Sequence, residues 1–186
     1  MYSRLTILYT QNLRGDLDRL PRIYNVLRSL KGEGRTLLVD LGGSCDPAVW
    51  HCEVTEGRSV LIALDGMGFH AANISGVLSD ESREKLTEQV SLALLAENTP
   101  FVDDSSGITI NLSAQQKTTF VDGILNLQTI ESAQIGEVIL SGDPLSLHSA
   151  TVHDVPSTTP KDPTIAGVVD FILGEARFFQ KRQSDE

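Results

Sequence analysis

Apolar residues follow two rhythms along this chain, and the change between them falls near residue 100. In the first half, short unbroken apolar runs alternate with stretches where apolar side chains recur every three or four positions. The run from Leu5 to Tyr9 reads as a buried strand. After a turn at residues 11–16, Leu17, Leu20, Ile23, Tyr24, Leu27 and Leu30 recur at helical spacing, with Arg19, Arg22 and Arg28 between them. This pattern predicts an amphipathic helix that stops at Gly32 and Gly34. Pro21 falls in its first turn, where a missing N–H costs little, and Asp16 or Asp18 can cap its positive end. Thr36 to Asp40 is a second buried run and leads directly into Gly42-Gly43, as a parallel strand meets a ligand-side loop.

Residues 44–56 read as a loop or short helix, followed by a helix from Gly57 to about Met67 and a third strand at 69–75. A second amphipathic helix is expected from Glu81 to Glu97. Ser79 or Asp80 would cap it, and Leu86, Val90, Leu92, Ala93 and Leu94 would form its apolar side. Beyond residue 100, Thr-rich alternating stretches at 107–112, 118–129, 136–141 and 145–153 carry the signature of antiparallel strands. A Pro/Thr/Ser segment at 155–163 reads as an extended linker, too short to divide the chain. The last helix is expected from Thr164 to Arg182, with Ile165, Val168, Val169, Ile172, Leu173 and Phe178 turned inward and residues 183–186 disordered. Residues 1–186 therefore read as one α/β domain with a mixed sheet and a C-terminal helix, and no internal repeat interrupts it.

Composition narrows the choice of function. The 186 residues carry 15 Lys+Arg against 25 Asp+Glu, a net charge of −10, and no basic cluster. Nucleic-acid binding and attraction to an anionic membrane both need clustered cations, so neither is expected. No apolar stretch reaches the roughly 18 residues needed to span a bilayer, and the start MYSRLTILYT lacks the features of a signal peptide. The expected location is cytoplasmic. Cys45 and Cys52 are too few for a disulfide framework and are expected to be reduced, buried or half-buried thiols.

Ligands of open α/β sheets bind beyond the carboxyl ends of the strands, which directs attention to Gln11–Gly15, Asp40–Gly43 and Asn73–Gly76. The first of these, within YTQNLRGDLDRLPRI, resembles the Thr-Asn-Asp-x-His-Gly-x-Leu opening motif of the 5'-nucleotidase branch of the calcineurin-like metallophosphoesterases. LLVDLGGS resembles that family's second motif, a strand ending Asp-x-Gly-Asp, and LIALDGMGFHAANIS is similar to the stretch that leads to its third, Gly-Asn-His. The three come in the family's order and span roughly residues 3–103, with weaker similarity across the closing strands and the DPTI segment at 162–165. The resemblance implies a reduced form of the family's αββα sandwich. It also implies two metal ions about 3.5–4 Å apart that activate water against a phosphoester.

The ligands themselves depart from that pattern. Asn12 stands where the family has a ligand Asp, Arg14 where it has a ligand His, and Gly43 where it has the metal-bridging Asp. Asp40 matches the strand-terminal Asp. The third motif gives Gly76 and Val77, or Asn73 and Ile74, so either register lacks the His, and the later Gly-His-x-His turn has no counterpart. An arginine at a ligand position sets a fixed positive charge where divalent cations would sit.

The resemblance and its departures together imply a degenerate member without metal-dependent hydrolysis, serving as a binding or assembly module. A small anion or nucleotide would be held at Asn12, Arg14, Gly42 and Gly43, and self-association is possible. For Arg14 a salt bridge to Asp16, Asp18 or Asp40 competes with an anion contact. For Asp40 a role in tying down loop N–H groups competes with catalysis. The alternative is an active phosphoesterase or nucleotidase using Mn or Zn on Asn12, Asp40, Asn73 and His70. Cys45, Asp46, His51 and Cys52, with His70, form a further set that could hold zinc, although their spacing fits no compact site. A cysteine nucleophile activated by His51 is a weaker reading, since neighbouring side chains diverge. His70 otherwise reads as a histidine at the edge of the core. No phosphate loop, dinucleotide fingerprint or hydrolase elbow is present.

Overall fold

The two rhythms become two sheets laid face to face. In the computed structural model, which describes residues 4–96 and 98–184, the larger sheet is built from β1 (Arg4–Thr10), β2 (Arg35–Asp40), β3 (Ala71–Asn73), β4 (Ala93–Leu95), β9 (Gln134–Ser141) and β10 (Ser146–Asp154). Their order is β10-β9-β1-β2-β3-β4. β1 to β4 run parallel, while β9 and β10 are antiparallel additions on the β1 side. The smaller sheet has the order β5-β6-β8-β7, from β5 (Phe101–Asp103), β6 (Ile108–Gln115), β7 (Thr119–Val121) and β8 (Ile124–Gln128). Among the described residues there are five α-helices: α1 (Leu20–Leu30), α2 (Trp50–Val54), α3 (Arg58–Gly66), α4 (Asp80–Thr87) and α5 (Pro163–Ser184).

β1 and β2 are buried on both faces, and that is why they read as unbroken apolar runs. Leu5, Ile7, Tyr9, Leu37 and Val39 meet Ile110, Leu112, Leu125 and Leu127 of the smaller sheet. Leu8 and Leu38 point the other way, into a core shared with Ile23 and Leu27 of α1, Leu61 and Leu64 of α3, and Ile165, Val169 and Ile172 of α5. Beside β1, Gly136 leaves room for an aromatic ring: a Cβ there would stand 2.0 Å from Cζ of Tyr9. Burial raises the Tyr9 phenol to about 12, against a lowering hydrogen bond with Thr118.

Among the described residues no helix covers the outer face of the smaller sheet, and its side chains explain how it stays in water. Asn111 Nδ2 donates to Asn126 Oδ1 at 2.7 Å, and Asn126 Nδ2 donates to Thr119 Oγ1 at 3.2 Å. A ladder of amides and hydroxyls replaces a second helical layer, so the αββα sandwich is present in reduced form. Among the described residues no helix is long and apolar enough to cross a membrane.

Several expectations need correction. The helix expected over 81–97 ends at Thr87, and Ala93–Leu95 forms β4; Glu97 lies outside the described residues. The Asp65 carboxylate accepts the N–H groups of Ser91 and Leu92 and turns the chain into that strand. The expected strand 118–129 is a hairpin, because Asp122 and Gly123 both take positive φ. β6 and β8 pair in parallel, the intervening β7 having folded back on β8. Phe178, expected inside, is exposed, and α5 continues through Gln183 and Ser184.

The 155–163 segment is held fast. Asp162 accepts from the N–H groups of Thr164 and Ile165 at the start of α5, pairs with Arg28 of α1, and donates its own N–H to the Pro21 carbonyl. Asn25 and Arg22 of α1 donate to the carbonyls of Pro160 and Thr159.

Candidate functional site

The parallel register sets Thr10 beside Asp40 at the carboxyl ends of β1 and β2. Asp40 is wholly buried. Thr10 Oγ1 donates to its Oδ1 at 2.7 Å, and the Gly42 N–H donates to its Oδ2 at 3.0 Å. Burial with no cation beside it pushes this carboxyl up to about 7, against the lowering effect of those two donors. Asp40 thus ties down the loop that follows it.

Beyond Asp40 the two strand-end loops are stitched to each other. The N–H groups of Asn12, Arg14 and Gly15 donate to the carbonyls of Gly42, Gly43 and Ser44, at 2.9, 2.9 and 2.8 Å. The backbones of Asn12, Arg14, Gly42 and Gly43 are therefore brought together. Gly43 has φ +69, and a Cβ there would stand 2.7 Å from Asn12 Oδ1 and 3.2 Å from the Asn12 Cα. An aspartate at 43 has no room while Asn12 occupies that place, so the two departures from the metal motif fit one another. The N–H of Gly42 is committed to Asp40 and its carbonyl to Asn12.

Arg14 is exposed, with φ +51, a sparsely populated conformation for a residue with a side chain. The acids that could have neutralised it are engaged elsewhere. Asp16 pairs with Arg19, Asp18 with Lys161, and Asp40 holds Thr10 and Gly42.

The alternative ligand set does not assemble. Asn73 lies by Gly42, but its Nδ2 reaches the carbonyls of Leu41 and Leu112, and its Oδ1 accepts the Ser75 N–H at 3.0 Å. His70 sits beside the middle of β2, where its Nδ1 accepts the Leu38 N–H at 3.1 Å. Burial first, and then Arg35, hold His70 below the usual imidazole range. Among the described residues, no three His, Cys, Asp or Glu are placed to hold a metal ion. The residues at this site do not fit the metal pair that the fold family implies. Gly43 offers no ligand, both oxygens of Asp40 are engaged, and Arg14 brings positive charge.

Cys45 and Cys52 are joined in a disulfide, which corrects the expectation of reduced thiols and removes both sulfurs from any zinc site or nucleophilic role. His51 is buried between the loops: Nε2–H donates to the Gly15 carbonyl at 2.9 Å, so Nδ1 accepts from Ser59 Oγ at 2.9 Å. Burial lowers its pKa, which keeps the ring neutral in this role. This His51–Ser59 brace was not evident from the sequence, because the two residues are eight positions apart across a break between helices.

The hydroxyls of Ser44 and Ser75 are buried next to the strand-end loops without a hydrogen-bond partner among the described residues. Sequence reasoning missed these as well, since burial of a serine in a glycine-rich loop leaves no mark on residue order.

Comparison with known proteins gives the fold and little else. No family model matches the sequence, and no curated protein matches it. Among solved structures, this chain is similar to the calcineurin-like phosphoesterase YfkN from Bacillus subtilis, with a TM-score of 0.63 and 8% sequence identity, covering 97% of this chain and 100% of that one.

Proposed function

We propose that this chain is a metallophosphoesterase-like module that does not carry out metal-dependent hydrolysis and serves in binding or assembly. The fold is that of a metallophosphoesterase. The observation that carries the proposal is the mutual fit of Asn12 and Gly43, which fills with an amide the space where a bridging carboxylate would stand. Two-metal chemistry needs carboxylate and imidazole ligands converging on a shared space. Here that space is closed by neutral groups.

Within this proposal a small oxyanion is held at the Arg14 guanidinium, with Asn12 and the Gly43 backbone beside it. Guanidinium matches a phosphate or carboxylate with two parallel hydrogen bonds. The backbone conformation of Arg14 supports this reading, since sparsely populated φ values at non-glycine residues cluster at binding sites.

The test pairs elemental analysis of the purified protein with a Mn²⁺-supplemented assay on a chromogenic phosphodiester and on nucleoside monophosphates. Absence of stoichiometric metal and of chelator-sensitive turnover is expected. Turnover abolished by a chelator overturns the proposal in favour of an active enzyme with a different ligand set. Thermal shifts with inorganic phosphate, measured in wild type and Arg14→Ala, test the oxyanion separately. A shift that survives the substitution removes Arg14 from the site.

A further inference from the structure

Gly15, the residue after Arg14, is held on both sides by the chain neighbours of the two cysteines. Its N–H donates to the carbonyl of Ser44, which precedes Cys45, and its carbonyl accepts from Nε2–H of His51, which precedes Cys52. The Cys45–Cys52 disulfide fastens those two neighbours to each other. The bond also packs on Gly15 itself, which takes φ +85: a Cβ there would stand 3.0 Å from Cys52 Sγ. The turn that presents Arg14 is thus clamped by a covalent bond outside both β1 and β2.

The surroundings of that bond suit exchange with a small thiol. Cys45 and Cys52 line a cleft of about 380 Å³ together with Pro47 and Gly76, which is room for a small molecule. Cys45 keeps 8% of its surface and Cys52 only 1%. An incoming thiolate therefore meets Cys45, and Cys52 is the sulfur displaced. Ser59 Oγ lies 3.5 Å from Cys45 Sγ and 3.9 Å from Cys52 Sγ, so its O–H, engaged with His51 Nδ1 at 2.9 Å, is within reach of the departing thiolate. A charged acceptor makes the stronger hydrogen bond. The departing sulfur draws the Ser59 proton toward itself and away from the ring that holds Gly15.

We propose that Cys45–Cys52 is a thiol-exchange site for a small dithiol, and that its reduction releases the Gly15 turn and with it the oxyanion site at Arg14. One thiolate of the dithiol attacks Cys45 Sγ, a mixed disulfide forms, the Cys45–Cys52 bond breaks and its electron pair leaves on Cys52 Sγ. The second sulfur of the dithiol then attacks the first, closing its own disulfide and expelling Cys45 Sγ. The dithiol is oxidised by two electrons, and its two protons end on Cys45 and Cys52. Unbonded sulfurs need more room than bonded ones. With Cys52 enclosed, the turn at Gly15 takes up that separation. The consequence for Arg14 rests on the oxyanion reading above, whereas the exchange does not.

The test treats the oxidised full chain with dithiothreitol under native conditions, traps thiols with iodoacetamide and counts them by mass spectrometry. Two alkylated cysteines are expected, with an unchanged circular dichroism spectrum. In the reduced protein, hydrogen exchange at the amides of Arg14 and Gly15 is expected to be at least about tenfold faster, while Ile7 and Leu8 of β1 stay protected. Cys45→Ser/Cys52→Ser is expected to show the fast exchange with or without dithiothreitol. A bond that yields only when the protein unfolds overturns the proposal and leaves a structural brace. Reduction in the folded protein with Arg14 and Gly15 still protected overturns the release of the turn. The thermal shift with inorganic phosphate is expected in the oxidised form and lost in the reduced one, and an equal shift in both overturns control of the oxyanion site. No shift in either form removes the oxyanion reading instead, and alkylation and amide exchange then decide the exchange site on their own.

Discussion

The two ends of β2 each hold a buried carboxylate, and the two carboxylates behave in opposite ways. At the amino end Asp103 of β5 reaches across to Arg35 and also accepts from the N–H and hydroxyl of Ser106. Burial pushes its pKa up, but the Ser106 and Arg35 hydrogen bonds outweigh that, and it ends below the usual carboxylate range. At the carboxyl end Asp40 has, among the described residues, only the Thr10 hydroxyl and one N–H, and burial wins. One strand of six residues therefore begins at an ion pair and ends at an acid that takes up its proton. The difference is the local cation. The end where the fold family holds metal ions is the end where this chain supplies none to its aspartate.

The strongest way to break this comparison is to remove the titration of Asp40. The sign follows from its raised pKa. Its contribution to stability is complete below about pH 4, its unfolded value, and disappears as pH rises through about 7. At 1.36 kcal/mol per unit, the full loss amounts to about 4 kcal/mol. Asp40→Asn mimics the protonated form, with its oxygen accepting from Gly42 and its amide donating to Thr10. The stability difference between Asp40→Asn and wild type, from urea unfolding, is therefore expected to grow as pH rises from 4 to 8. A difference that stays flat means that Asp40 is ionised in the fold at an ordinary pKa.

Arg35→Met tests the other end. It leaves Asp103 buried without its cation and is expected to cost about 3 kcal/mol, with the loss smaller at acid pH, where Asp103 takes up a proton. Equal loss at all pH values would assign the effect to packing of the Arg35 stem. The Asp40 end is braced by covalent linkage instead of charge. Cys45→Ala/Cys52→Ala opens a loop with a sequence separation of 7 and is expected to lower stability by about 2–3 kcal/mol. In the unmodified protein, thiol titration under denaturing, non-reducing conditions is expected to find no free cysteine. Arg14→Ala is the smallest change. An exposed side chain outside any ion pair among the described residues should move stability by no more than about 0.5 kcal/mol, while removing the phosphate-induced thermal shift.

Legibility in the sequence divided along the same lines. β1, α1, β2, α3 and α5 follow from apolar spacing, because each buries a continuous face. The joining of Asn12, Arg14, Gly42 and Gly43 follows from their place at the ends of adjacent parallel strands. What could not be read depends on partners distant in the chain. Residues 81–97 have a helical pattern throughout, and the Asp65 carboxylate together with pairing on β3 diverts Ala93–Leu95 into the sheet. Phe178 lies five residues past Leu173, on the face of α5 turned away from the buried Val169, Ile172 and Ala176, so its ring is left in water. The hairpin at Asp122-Gly123 is the exception: an Asp-Gly pair between alternating residues is a turn signal that the strand pattern over 118–129 concealed.

Asp162 has a consequence for the order in which the molecule can form. It joins α1 to α5 through the Arg28 pair, across 134 residues of chain, and it also caps α5. Contacts of such separation form late, because the intervening chain must first be ordered or confined. During synthesis α1 and α3 must wait, with part of their apolar surface still bare, until residues beyond 162 have been made. The helical layer is thus the part of the nascent protein most exposed to misassociation, and the arrival of one aspartate closes it.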